Sequence, residues 1–146
     1  MNIYVDTSFL VSLYSLDGNS VAAVRIMDDS DGQRFVTTLG VLEVINALEL
    51  RVFRRELAVA QAQSSLNDFE RHLSDGVFQL RGFPDTVFEQ ARRMSLQTTA
   101  KMGTRTGDLL HVAAALELGA DYLYSFDQKQ RKLAQAVRLK VNPDVR

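Results

Sequence analysis

The chain has 146 residues, no cysteine and only two histidines, His72 and His111. That excludes disulfides, thiolate zinc sites and thiol nucleophiles, so a bound metal would be held by oxygen donors, which suit magnesium or manganese. With 17 basic against 18 acidic side chains and a net charge of −1, no overall field draws the chain to nucleic acid, and a polyanion partner would need a local basic patch.

The length suggests a single domain over residues 1–146. No apolar run is long enough to cross a bilayer. The N-terminus lacks a basic leader and is not read as a secretory signal. Absence of cysteine fits a reducing cytoplasm.

The first predicted strand is Ile3-Tyr4-Val5, running into Asp6-Thr7-Ser8. Its uninterrupted apolar run reads as a strand buried on both faces. Phe9, Leu10, Leu13 and Leu16 then recur at helical spacing, so a helix follows Asp6 at once. Asp6 is placed either to cap that helix or to do chemistry outside the carboxyl end of a central strand. Asn19 or Ser20 can cap a second helix, with Val21, Val24 and Met27 on one face. Phe35-Val36-Thr37 is a second strand, and Thr37 or Thr38 can cap a helix carrying Val41, Leu42, Ile45, Leu48 and Val52. Glu43 lies in its second turn among apolar neighbours, where burial is costly without a cation or hydrogen bonds.

Leu57 to Leu73 is a long helical pattern, and Val77-Phe78-Gln79-Leu80 is a third strand. Pro84 can open a helix with Val87, Phe88, Ala91 and Met94 on its apolar side. Thr104-Arg105-Thr106-Gly107-Asp108 leads into an apolar helix closed by Gly119. Thr106 is its expected cap. His111, one turn past Asp108, is read as a packing or hydrogen-bonding residue. Asp121 to Tyr124 is a fourth strand, Ser125-Phe126-Asp127 leads into a further helix, and Val137 to Val141 is a short fifth strand. Strands alternating with helices predict an α/β fold with a central parallel sheet.

Four acids therefore share one context. Asp6 and Asp127 follow strands; Glu43 and Asp108 sit in early helical turns. Four carboxylates brought together repel one another, and a hard divalent cation relieves that repulsion. Such a site suits metal-assisted displacement at phosphorus. Basic side chains at Arg51, Arg54, Arg55, Lys101, Arg105, Lys129, Arg131 and Lys132 could supply phosphate contacts.

Tyr4-Val5-Asp6-Thr7-Ser8-Phe9-Leu10, Leu42-Glu43-Val44-Ile45-Asn46-Ala47-Leu48, Gly107-Asp108-Leu109-Leu110-His111-Val112-Ala113-Ala114-Ala115 and Leu123-Tyr124-Ser125-Phe126-Asp127 together resemble the PIN domain. Within that family the chain is similar to VapC-type toxins of toxin–antitoxin pairs. The resemblance implies a three-layer α/β/α fold with a parallel sheet of about five strands. It implies an endoribonuclease whose magnesium or manganese is held by Asp6, Glu43, Asp108 and Asp127, with Thr7 and Ser125 as hydroxyl residues beside the site. Serine at 125 departs from the family's more usual threonine. An RNA substrate, a cognate antitoxin and a homodimer are implied too. Apolar faces on the first two helices and on the long helix from Leu57 add to the expectation of a dimer. Two alternatives stand beside this. One is a phosphoaspartyl enzyme or receiver with Asp6 or Asp127 as nucleophile, which would want a lysine at another strand end. The other is a binding module without catalysis.

Overall fold

The computed structural model describes residues 1–143. In chain order the elements are β1 (Asn2–Val5), α1 (Thr7–Tyr14), α2 (Ser20–Asp28), β2 (Gln33–Thr37), α3 (Thr38–Phe53), α4 (Val59–Ser74), β3 (Gln79–Arg81), α5 (Thr86–Met102), α6 (Thr106–Glu117), β4 (Tyr122–Tyr124), α7 (Gln128–Ala136) and β5 (Lys140–Val141). The five strands form one parallel sheet in the order β3-β2-β1-β4-β5. It is the α/β fold with a central parallel sheet that the alternation predicts.

The central strand explains the layers. Successive side chains of a strand point to opposite faces. Ile3 and Val5 enter a core made with α1, α3 and α4, while Tyr4 enters a second core made with α5, α6 and α7. All three residues are buried, as an apolar run with no polar interruption demands. The register pairs Tyr4 with Leu123 and Val5 with Tyr124, so β4 alternates in step: Leu123 joins the second core and Tyr124 the first.

The chain order leaves β1 for β2 in one direction and reaches β4 on the other side of β1. The strand order therefore reverses between β1 and β4, and a crevice opens there at the carboxyl ends of the strands. Asp6 and the Ser125–Asp127 segment both leave their strands at that crevice.

Several expected faces differ. Leu16 lies beyond α1 and is exposed, and α2 buries Ala23 while Val21 and Val24 face solvent. Phe88 is exposed, whereas Val87, Ala91 and Met94 pack inward. The long helix α4 packs Ala62 and Phe69 into the core and exposes Val59, so surplus apolar surface lies at Val21 and Val24 of α2 and at Val59, and also on α3 at Leu42, Ile45, Leu50 and Phe53. The fifth strand begins only at Lys140, because Val137 ends α7 and Arg138 turns the chain at φ 65°. Gly103, at φ 65°, ends α5 in the left-handed region that glycine adopts without steric cost, which lets the chain turn into α6. Among the described residues no helix is long and apolar enough to cross a membrane.

Candidate functional site

Asp6, Glu43, Asp108 and Asp127, separate along the chain, line one cleft of about 550 Å³ at the β1/β4 crevice. Asp6 and Asp108 are buried in its floor, Glu43 is half-buried and Asp127 is exposed at the rim. Among the described residues no basic side chain lies within ion-pair distance of Asp6, Asp108 or Asp127.

Asp6 both caps a helix and faces the cleft, so the two roles weighed for it coincide. Its Oδ1 accepts from the Phe9 backbone N–H at 2.9 Å and from the Ser8 hydroxyl at 2.8 Å. Its Oδ2 accepts from the Gln130 amide of α7. All three donors are neutral. Burial pushes the Asp6 carboxyl above its ordinary value, and the nearby His111, with Ser125, the Phe9 N–H and Ser8, pulls against that push without cancelling it.

Glu43 is held differently. Its Oε1 is hydrogen-bonded to Nε2 of His111 and accepts from the Thr7 hydroxyl at 2.8 Å. Burial works against its ionisation, but the His111 hydrogen bond and charge, with the Thr7 bond, outweigh it and hold the carboxyl below its ordinary value. The apolar stretch around Glu43 is less buried than its composition suggests, because Leu42 and Ile45 point to solvent. His111 is a buried hydrogen-bonding residue, as expected. Its Nδ1 meets the Tyr4 hydroxyl at 2.7 Å, and that hydroxyl lies 3.3 Å from Thr37 Oγ1. Burial drives the Tyr4 phenol well above its usual range.

Asp108 is the third residue of α6, and its Oδ2 accepts from the Arg105 backbone N–H at 2.9 Å. Arg105, not Thr106, precedes the helix as its cap residue. Asp127 caps α7 by accepting from the Gln130 N–H at 3.2 Å. Its own N–H donates to Ser125 Oγ at 3.0 Å. Asn142 fixes the same turn by accepting from the Ser125 N–H at 2.7 Å.

A PIN domain family model matches residues 3–136. The chain belongs to the PIN domain family. Solved structures agree on the fold of this PIN domain. VapC20 from Mycobacterium tuberculosis, a sarcin-ricin loop cleaving toxin, superposes with a TM-score of 0.73 at 18% identity, over 97% of this chain and 99% of that one. FitAcB from Neisseria gonorrhoeae gives 0.67 at 15% identity, over 97% and 96%. VapBC2 from Rickettsia felis, bound to a DNA fragment from their promoter, gives 0.67 at 14% identity, over 100% of each chain. No curated protein sequence matches the chain significantly.

The donor set of the PIN domain cleft fits a hard divalent cation: four carboxylates, with hydroxyls from Thr7 and Ser8 alongside. The carboxylates do not stand in a ready-made cage. Among the described residues no three Asp, Glu or His side chains are gathered as a cation's ligands. Close carboxylates repel, and each of these is turned toward donors of its own. Of the eight basic residues singled out in the sequence, Arg51 and Arg105 line the cleft. Arg51 is fixed on its wall by donating to Ser15 Oγ at 2.6 Å and by an ion pair with Asp17 at 3.7 Å. The sequence does not mark Gln130 or the Tyr4 hydroxyl. A glutamine inside an amphipathic helix and a tyrosine inside a strand carry no local mark of a partner 124 or 107 residues away.

Proposed function

We propose that this PIN domain, residues 1–146, is a divalent-metal-dependent endoribonuclease that hydrolyses phosphodiester bonds in RNA and acts as the toxin of a type II toxin–antitoxin pair. The observation that carries the proposal is the convergence of Asp6, Glu43, Asp108 and Asp127 on one cleft at the reversal of the sheet, with no cationic side chain among the described residues paired to Asp6, Asp108 or Asp127. Buried carboxylates without a counter-charge are unstable as such, so a site built this way calls for a cation from outside.

Asp6 and Asp108, the deep pair, are assigned as direct metal ligands, with Glu43 and Asp127 as ligands from the two rims. Magnesium or manganese bound there would supply a nucleophile from water at neutral pH and neutralise charge on the phosphate. The chain's own residues do the rest. Gln130 and Ser8 hold Asp6 in one orientation, and His111 and Thr7 hold Glu43. Arg105 and Arg51 are assigned to phosphates flanking the scissile one, since the cleft is otherwise acidic and would repel a polyanion.

The VapBC complexes among the structural neighbours support an antitoxin as protein partner, and the exposed apolar residues of α3 support a homodimer. A cytoplasmic location accords with this reading. Among the described residues no lysine lines the cleft, which weighs against a phosphoaspartyl enzyme.

The test is cleavage of RNA by the purified chain with Mg²⁺ or Mn²⁺, with and without chelator. Cleavage that chelator stops, and that Asp108→Asn lacks, is the expected result. RNA binding without turnover under either metal would instead favour a binding module.

A further inference from the structure

Thr37 is the N-cap of α3, the helix that carries Glu43, and its hydroxyl accepts from the Gly40 N–H at 3.1 Å. Tyr4 stands on β1, and His111 stands on α6, the helix that carries Asp108. The hydrogen bonds already described run Thr37–Tyr4–His111–Glu43 and so return to α3, with the helix backbone completing the ring. Tyr4 and His111 are 0% and 3% exposed, and their rings meet edge to face at 5.8 Å.

We propose that Tyr4 and His111 are positioning residues that fix the spacing of the two acid-bearing helices, and so set the affinity of the carboxylate cleft for its divalent cation. The inference rests on the metal-site assignment above.

Donor polarity fixes which ring nitrogen faces Glu43. A carboxylate accepts only, so Nε2 of His111 donates to Glu43. Nδ1 meets the Tyr4 hydroxyl on its other side, accepting from it when the imidazole is neutral and donating to it when the imidazole carries a charge. The Tyr4 hydroxyl exchanges its remaining hydrogen bond with Thr37 Oγ1, which can donate or accept. One orientation of the His111 ring satisfies every member, and that orientation aims Glu43 into the cleft. Deleting the Tyr4 hydroxyl leaves the ring packed in its core but frees the imidazole to turn. Partners of this kind, one bond removed from a ligand, typically change metal affinity by about 10- to 100-fold.

The test is Mn²⁺ binding to RNA-free protein, read as free ion by electron paramagnetic resonance. Tyr4→Phe keeps the ring and should bind Mn²⁺ about 10-fold more weakly. His111→Gln keeps a donor for Glu43 but loses the Tyr4 link, and should fall to the same level. The double variant should be no weaker than His111→Gln alone, because Tyr4 acts only through His111. In the RNA assay kcat should fall with KM unchanged. A merely structural pair would give additive losses or lower melting temperatures with unaltered Mn²⁺ affinity, and either result overturns the proposal, as does a Tyr4→Phe protein that binds like wild type. If wild-type protein binds no Mn²⁺, the metal-site assignment fails and the proposal goes with it.

Discussion

Asp6 and Glu43 face the same cleft from opposite environments. Asp6 is buried, receives only neutral hydrogen bonds and is pushed toward its protonated form. Glu43 is half in solvent, leans on an imidazole and is held ionised. The protein's own side chains outweigh the cost of burial at Glu43 and fall short of it at Asp6. In a stability-only design the buried acid would be the one given a partner, since an unpaired buried charge costs far more than a half-exposed one. On the function proposed above, the charge that Asp6 lacks is the one a divalent cation would bring.

Removal of the deep acids should do most harm. Asp6→Asn is expected to lower RNA cleavage by about 100-fold or more, the equivalent of roughly 3 kcal/mol of transition-state stabilisation. Asp127→Asn, at the exposed rim, should cost about a tenth of that factor in the same single-turnover assay. Equal losses would break the contrast between floor and rim.

In metal-free protein the two acids should act on stability with opposite signs. Asp6 binds its proton more tightly in the fold than in the unfolded chain. Its contribution is present at low pH and is lost as pH rises through its raised folded value. Asp6→Asn should therefore raise the melting temperature at pH 7 by roughly 3 °C, and the gain should vanish in acid. Glu43 is the reverse. Its contribution is present above its unfolded value and is lost as pH falls through its lowered folded value. Glu43→Gln should lower the melting temperature at pH 7, by less than about 3 °C because solvent screens a group so exposed. Scanning calorimetry across pH reads both, and shifts of the same sign at pH 7 would contradict the comparison.

The smallest effect concerns substrate. Arg105→Gln should reduce the slope of log affinity against log salt by about 0.7 for a single-stranded RNA, the share of one phosphate contact. Fluorescence anisotropy at several salt concentrations measures it, and an unchanged slope would remove Arg105 from the phosphate path.

What the sequence revealed was what is local. Strand-end and helix-start acids are marked by their neighbours, which is why the sequence alone picks out Asp6, Glu43, Asp108 and Asp127. Helix faces were harder to place. Val21, Val24, Leu42 and Phe88 have the spacing of core residues but point to solvent, because periodicity identifies a stripe without saying what covers it. Bonds between distant elements left no trace at all. Nothing near Gln130 predicts Asp6, and nothing near Tyr4 predicts His111. Of eight basic residues, the sequence could not single out the two that reach the cleft.

The measurement nearest the centre of the account is the melting temperature of wild type and Asp6→Asn as Mn²⁺ is added. Binding to the folded state alone stabilises it by about 2.7 kcal/mol at a hundred times the dissociation constant. Wild type should therefore climb by several degrees, overtaking an Asp6→Asn protein that starts higher and stays flat. Parallel rises in both proteins would show that the buried carboxylate is not where the cation's charge is received.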